Sequence, residues 1–193
     1  MTKTSIPNQA TPVSELKEID KEVHMPDGCC SGAIVSFSGL LNTESHNSLI
    51  ALSKNAIHQC SLPRAEMNKV GLIVDDCLKN TLNYGWIDPN GEILIYFIVN
   101  CIERGLRCSC RYFMGSHMTE DLEQKLNDIN SKSESELRKR SIELICDREK
   151  HNSTGSESNL INLAQNCTSA IEFRSVTHNE GRDMFTLIVE LTK

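Results

Sequence analysis

Basic side chains are outnumbered in this 193-residue sequence: 20 Lys and Arg stand against 26 Asp and Glu, giving a net charge of −6. A nucleic-acid binder normally carries a basic stripe or patch, so this balance points away from one. It suits a protein that meets other proteins, or one that holds phosphate through backbone and metal. Nowhere do about 18 apolar residues follow one another, so no segment reads as a membrane-spanning helix. The opening stretch MTKTSIPNQATPVSELKEIDKE lacks the apolar segment of a signal peptide, and the expectation is a cytoplasmic protein with no membrane insertion. A P-loop and a G-x-S-x-G elbow are both missing, which argues against Walker-type NTPases and α/β-hydrolases. No internal repeat or low-complexity tract stands out.

Cysteine is plentiful, with nine residues. The number is odd, and Cys60, Cys77, Cys101, Cys146 and Cys167 lie in apolar runs. The expectation is reduced thiols used as small core residues. Cys108-Ser109-Cys110 puts two thiols on one face of a strand, and Cys29 adjoins Cys30. Neither pair has a second pair or a histidine at zinc-site spacing. Core packing is therefore the reading for these too.

Residues 1–28 are polar, contain Pro7, Pro12 and Pro26, and read as a flexible N-terminal arm. Residues 29–193 read as one domain, since this length supports a single sizeable core. GAIVSFSGLL (32–41) is expected to be a strand. A helix follows from Thr43 or Ser45 to His58, and a second from Ala65 to Asn83. EILIYFIVN (92–100) and GLRCSCRYFMG (105–115) read as strands. The charged stretch Thr119–Lys150 reads as helical, and its run ESELRKRSIEL as a solvated face or a partner-binding helix. HNSTGSES (151–158) reads as a linker, and NLINLAQNC (159–167) as a short helix. AIEFRSV and DMFTLIVEL around THNEGR form a hairpin. Helices and hairpins interleave without a βαβ rhythm. The fold class expected is therefore an α/β (α+β) two-layer sandwich, with helices on one face of a mixed, mostly antiparallel sheet.

Within LIVDDCLKNTLNYGW (72–86), Asp76, Asn80 and Asn83 fall at i, i+4 and i+7 and so share one stripe of a helix. Asn is a mediocre helix former, so two of them on one stripe are not explained by propensity. A carboxylate one turn before an amide suits phosphate chemistry. The amide oxygen can ligate Mg²⁺, and the carboxylate can take a proton from an attacking hydroxyl.

D-C-L-K-N (76–80) followed by N-Y-G resembles the N-box helix of the GHKL nucleotide-binding fold, where an acidic residue precedes a magnesium-holding Asn by four. FSGLL, the strand pair EILIYFIVN and RCSCRYFMG, TEDLEQKLNDIN, ELRKR, GSESNLINLA and the closing FTLIVEL follow in an order similar to the SiaB family of bacterial threonine-protein kinases. The likeness runs over roughly residues 30–192. It implies a GHKL ATPase-like kinase using ATP and Mg²⁺ that phosphorylates a small SiaC-like partner protein on threonine, within cyclic-di-GMP signalling. Carried over by position, Asp76 is the catalytic carboxylate and Asn80 the magnesium ligand, with Asn83 supporting the phosphate region. Gly115 and Ser116 mark the adenine-side turn, and Gly155 the lid. A homodimer is a further candidate assembly.

Two positions depart from that pattern. The family's carboxylate is usually Glu, one methylene longer than Asp76. The lid is usually glycine-rich, whereas GSESNLI keeps Gly155 but places Glu157 and Asn159 at the next two positions. No Asp stands in the Gly115–Met118 turn to read adenine. These departures favour a rival reading, a nucleotide-free adaptor of the same fold that sequesters a partner. An anti-sigma factor is a third.

Overall fold

The computed structural model describes residues 32–60, 62–103, 105–150, 156–179 and 181–192. The arm read at 1–28 and the lid residue Gly155 lie outside them. In chain order the elements are β1 (Ala33–Leu41), α1 (Thr43–Ala56), α2 (Arg64–Tyr84), β2 (Ile93–Ile102), β3 (Gly105–Gly115), α3 (Ser116–Ser131), α4 (Glu134–Lys150), α5 (Ser156–Asn166), β4 (Glu172–Asn179) and β5 (Arg182–Thr192).

The strands form one sheet in the order β1-β2-β3-β5-β4. Every pairing in it is antiparallel, so the expected mixed sheet is corrected to an antiparallel one. The reason is visible at β1 and β2. Two helices separate them, and a there-and-back path returns the chain to the end it left. The next strand must then run the opposite way.

Alternation along the strands decides which face the helices cover. Ile95, Phe97, Val99, Cys108, Cys110, Tyr112, Phe185, Leu187 and Val189 point to one side and are buried there. They join Ile73, Val74, Cys77 and Leu78 of α2, Leu122 and Leu126 of α3, and Leu160 and Leu163 of α5 in one continuous core. The opposite side of the sheet carries a separate small cluster, Phe113 with Met184 against Leu94.

Local chemistry sets the element ends. Asn42 caps α1: its side chain accepts from the Glu44 and Ser45 amides at 3.0 and 2.9 Å, and Ser45 Oγ accepts from the Asn42 amide. That reciprocal pair satisfies amides the helix leaves open. Gly85 caps the end of α2 in an extended conformation, and a Cβ there would sit 2.5 Å from the Thr81 carbonyl oxygen and 2.7 Å from Ile93. Gly181, at φ +85°, turns β4 into β5, so the hairpin turn is tighter than THNEGR suggested.

Two further readings change. The helix expected from Thr119 starts at Ser116, directly after β3. Likewise Ser156–Ser158, read as linker, are the first turn of α5.

The cysteine expectation also fails for one pair. Cys60, just after the short 3₁₀ turn that follows α1, is disulfide-bonded to Cys101 at the end of β2. Cys146 is exposed on α4 and not a core residue. Nothing in the spacing of the two bonded cysteines signals the pairing, because only the folding of α1 and α2 across the sheet brings them together.

Candidate functional site

The buried surface of α2 contains an interruption in its apolar packing. Asp76 is 6% exposed and Asn80 is fully enclosed, one turn apart on the side of α2 that meets the rest of the protein. The two are brought together as the spacing predicted. Asn83 is not, since it is exposed near the end of α2. Tyr84 takes the next buried place along the helix, at 5% exposure.

Asn80 is held from the sheet. The Tyr112 hydroxyl donates to Asn80 Oδ1 at 2.7 Å, and Tyr112 is itself fully buried. Among the described residues, Asn80 Nδ2 is buried without a hydrogen-bond partner. An amide drawn the other way round would bond Tyr112 through nitrogen and leave its oxygen unpaired. Either way one polar atom of Asn80 has no partner among the described residues, and such atoms are rare in a protein interior. Tyr112→Phe removes the one side-chain partner the amide has among the described residues. The expected cost is about 1–3 kcal/mol of stability, read by urea denaturation.

Asp76 has an unusual proton affinity. Burial, and then the neighbouring Asp75 carboxylate, push its pKa up from 3.8 to about 7, with Lys79 pulling the other way. Asp75 faces outward, where Lys79 Nζ lies 2.6 Å from it and His46 Nε2 3.1 Å. Of the two adjacent carboxylates, only Asp76 is thus withdrawn from solvent. At neutral pH it is divided between acid and base, the condition in which a carboxyl can both accept and return a proton.

The expected adenine-side turn is a strand-to-helix junction. Gly115 ends β3, and the His117 ring folds back so closely that a Cβ on Gly115 would lie 2.7 Å from it. The Ser116 hydroxyl donates to Asp183 at 2.8 Å, and the Thr119 hydroxyl donates to the same carboxylate at 2.7 Å. Asp183 comes from the start of β5, so a carboxylate does stand at this junction, supplied from the far end of the chain. Sequence reasoning missed it, as it missed Tyr112. Both act through contacts between residues 32 or more positions apart.

At the start of α5, Glu157 accepts from Arg140 at 2.8 and 3.2 Å. The negative charge that the sequence places near the lid therefore has a cation beside it. The charged run of α4 is largely exposed, with Arg138 on Glu134 at 2.6 Å, which suits a solvated face and a partner-binding helix alike.

No described helix is long and apolar enough to cross a membrane. No protein-family model matches the sequence, and no curated protein does so either. Among solved structures, the chain is similar to a chain of the SiaB–SiaC complex from Pseudomonas aeruginosa, with a TM-score of 0.65 at 11% identity, covering 95% of this chain and all of that one. At that identity the likeness shows a shared fold: this chain folds as a component of the SiaB–SiaC complex does.

Proposed function

We propose that the protein is a SiaB-like kinase, transferring the γ-phosphate of ATP to a threonine of a small SiaC-like partner. The observation that carries this reading is the pair on α2. A buried carboxyl with its pKa raised to about 7 stands one turn from a buried amide with an unpaired polar atom. Asp76 takes the proton of the attacking hydroxyl. The unpaired end of Asn80 suits a magnesium ligand, provided its oxygen faces the ion and its nitrogen faces Tyr112. Bound Mg²⁺ would neutralise charge on the transferring phosphoryl group. The likeness to the SiaB–SiaC complex supports the choice of partner class, because a shared fold spanning 95% of the chain leaves room for a shared docking mode.

One observation favours a second reading, the nucleotide-free adaptor that only sequesters its partner. Asn80 is completely enclosed, and its amide already meets Tyr112. Nucleotide would reach it only if the packing over α2 opened.

Thermal unfolding with and without Mg-ATP separates the two. A ligand at about 100 times its dissociation constant stabilises the native state by roughly 2.7 kcal/mol. For a chain of this size that corresponds to about 5–10 °C. The kinase reading expects that shift in the wild type and its loss in Asn80→Ala. If millimolar ATP moves neither protein while a SiaC-like protein still binds the wild type, the adaptor is the function.

A further inference from the structure

Three thiols that are far apart in sequence meet in the core. Cys108 and Cys110 alternate with Ser109 on β3, so both side chains leave the strand toward the helices. Cys77 approaches from the inner face of α2, one residue after Asp76. All three are fully buried, and their sulfurs lie within 4.8 Å of one another. Beside them the Thr81 hydroxyl donates to the Cys77 carbonyl at 3.3 Å. None of the three is in a disulfide.

This arrangement exceeds what small apolar fillers require. Core packing asks only for volume, and an alanine or valine at any of these positions would supply that without a sulfur. An ion bound by three sulfurs at about 2.3 Å in a plane holds them about 4 Å apart, so modest side-chain rotation closes the set. The surroundings choose the ion. Mg²⁺ and Ca²⁺ want oxygen ligands. Zn²⁺ in a structural site takes four donors, and the cluster offers three. Soft thiolates in a dry pocket suit Cu(I).

We propose that Cys77, Cys108 and Cys110 form a binding site for a single Cu(I) ion. Binding replaces S–H bonds by sulfur–copper bonds and releases the displaced protons to solvent. No electron moves, and copper stays Cu(I). The neighbouring thiols and then burial hold Cys77 and Cys108 well above their usual range when no ion is present, and burial does so for Cys110, so the resting cluster is neutral. The proposal is independent of the nucleotide reading and involves no residue of the Asp76–Asn80 pair.

The test is anaerobic titration of the full chain with copper kept reduced by ascorbate, against a coloured Cu(I) chelator. Ascorbate is chosen because it leaves the Cys60–Cys101 bond closed. The expected result is one ion withdrawn from the chelator per chain. Cys77→Ala, Cys108→Ala and Cys110→Ala should each weaken the competition by roughly tenfold or more, whereas Cys146→Ser, at the exposed thiol, should leave it unchanged. If a core variant does not fold, X-ray absorption on the loaded wild type decides, with three sulfurs at about 2.3 Å expected. Failure of the wild type to take up copper overturns the site. So does uptake that survives Cys77→Ala, uptake lost in Cys146→Ser, or an absorption spectrum with fewer than three sulfurs.

Discussion

Asp76→Asn is expected to make the protein more stable at pH 8 and, if it is a kinase, nearly inactive. The native carboxyl titrates near pH 7 against an ordinary value of 3.8, chiefly because burial disfavours its charge. Below the ordinary value the group is protonated in both states and costs nothing. Between the two values the unfolded chain releases its proton while the native protein keeps it. Native stability therefore falls as pH rises through that window, by up to about 1.4 kcal/mol per unit, and levels off above pH 7. The accumulated loss is on the order of 4 kcal/mol. Asparagine has nearly the same shape and no charge, so the variant should lack this slope. Urea denaturation of both proteins at several values from pH 4 to pH 9 measures it directly. Identical profiles would mean that Asp76 does not titrate there, and its part as a proton acceptor would go with it. In a phosphotransfer assay the same variant should lose about 10²–10⁴ of the rate. An adaptor would keep the stability gain and show no activity to lose.

Breaking the Cys60–Cys101 cross-link is the second large effect. The bond spans 41 residues of sequence and encloses the whole of α2. Closing a loop of that length restricts the unfolded chain by about 4 kcal/mol on the chain-entropy account. The double variant Cys60→Ala/Cys101→Ala should lose stability of that order, a drop in Tm of about 8–16 °C. Reductant should bring the wild type toward the variant and leave the variant where it was. Equal melting temperatures for the oxidised wild type and the variant would show that the cross-link contributes nothing. Because the bond anchors the entry to α2, its loss should also loosen the helix that carries Asp76 and Asn80. A lowered response to Mg-ATP in the double variant is the corollary for the kinase reading.

Much of the fold was legible in the sequence because it depends on periodicity. EILIYFIVN and GLRCSCRYFMG declare strands through continuous or alternating apolar residues. LIVDDCLKNTLNYGW declares a helix whose one polar stripe is out of place, and that stripe led to Asp76 and Asn80. These signals are short-range, since a side chain's face follows from the 3.6- or 2-residue period alone. Asn83 marks where that logic stops. It shares the stripe but lies at its outer edge, beside exposed Leu72 and Lys79, whereas Tyr84, one residue nearer the helix end, is buried; coverage is a property of the packed neighbours.

What only the tertiary structure decided is which distant residues meet. The antiparallel sheet follows from the paths of α1 and α2 between β1 and β2. Tyr112 reaches Asn80, Asp183 reaches Ser116, Cys60 reaches Cys101, and Cys77 joins Cys108 and Cys110, each across a gap of 31 or more positions. Asp76's pKa likewise exists only once packing has removed water from the carboxyl. The sequence by itself determined the elements and their buried faces. Which donors, acceptors and thiols those faces bring into contact was settled by packing, because a hydrogen bond or a disulfide requires atoms within a few ångströms and local periodicity carries no information at that range.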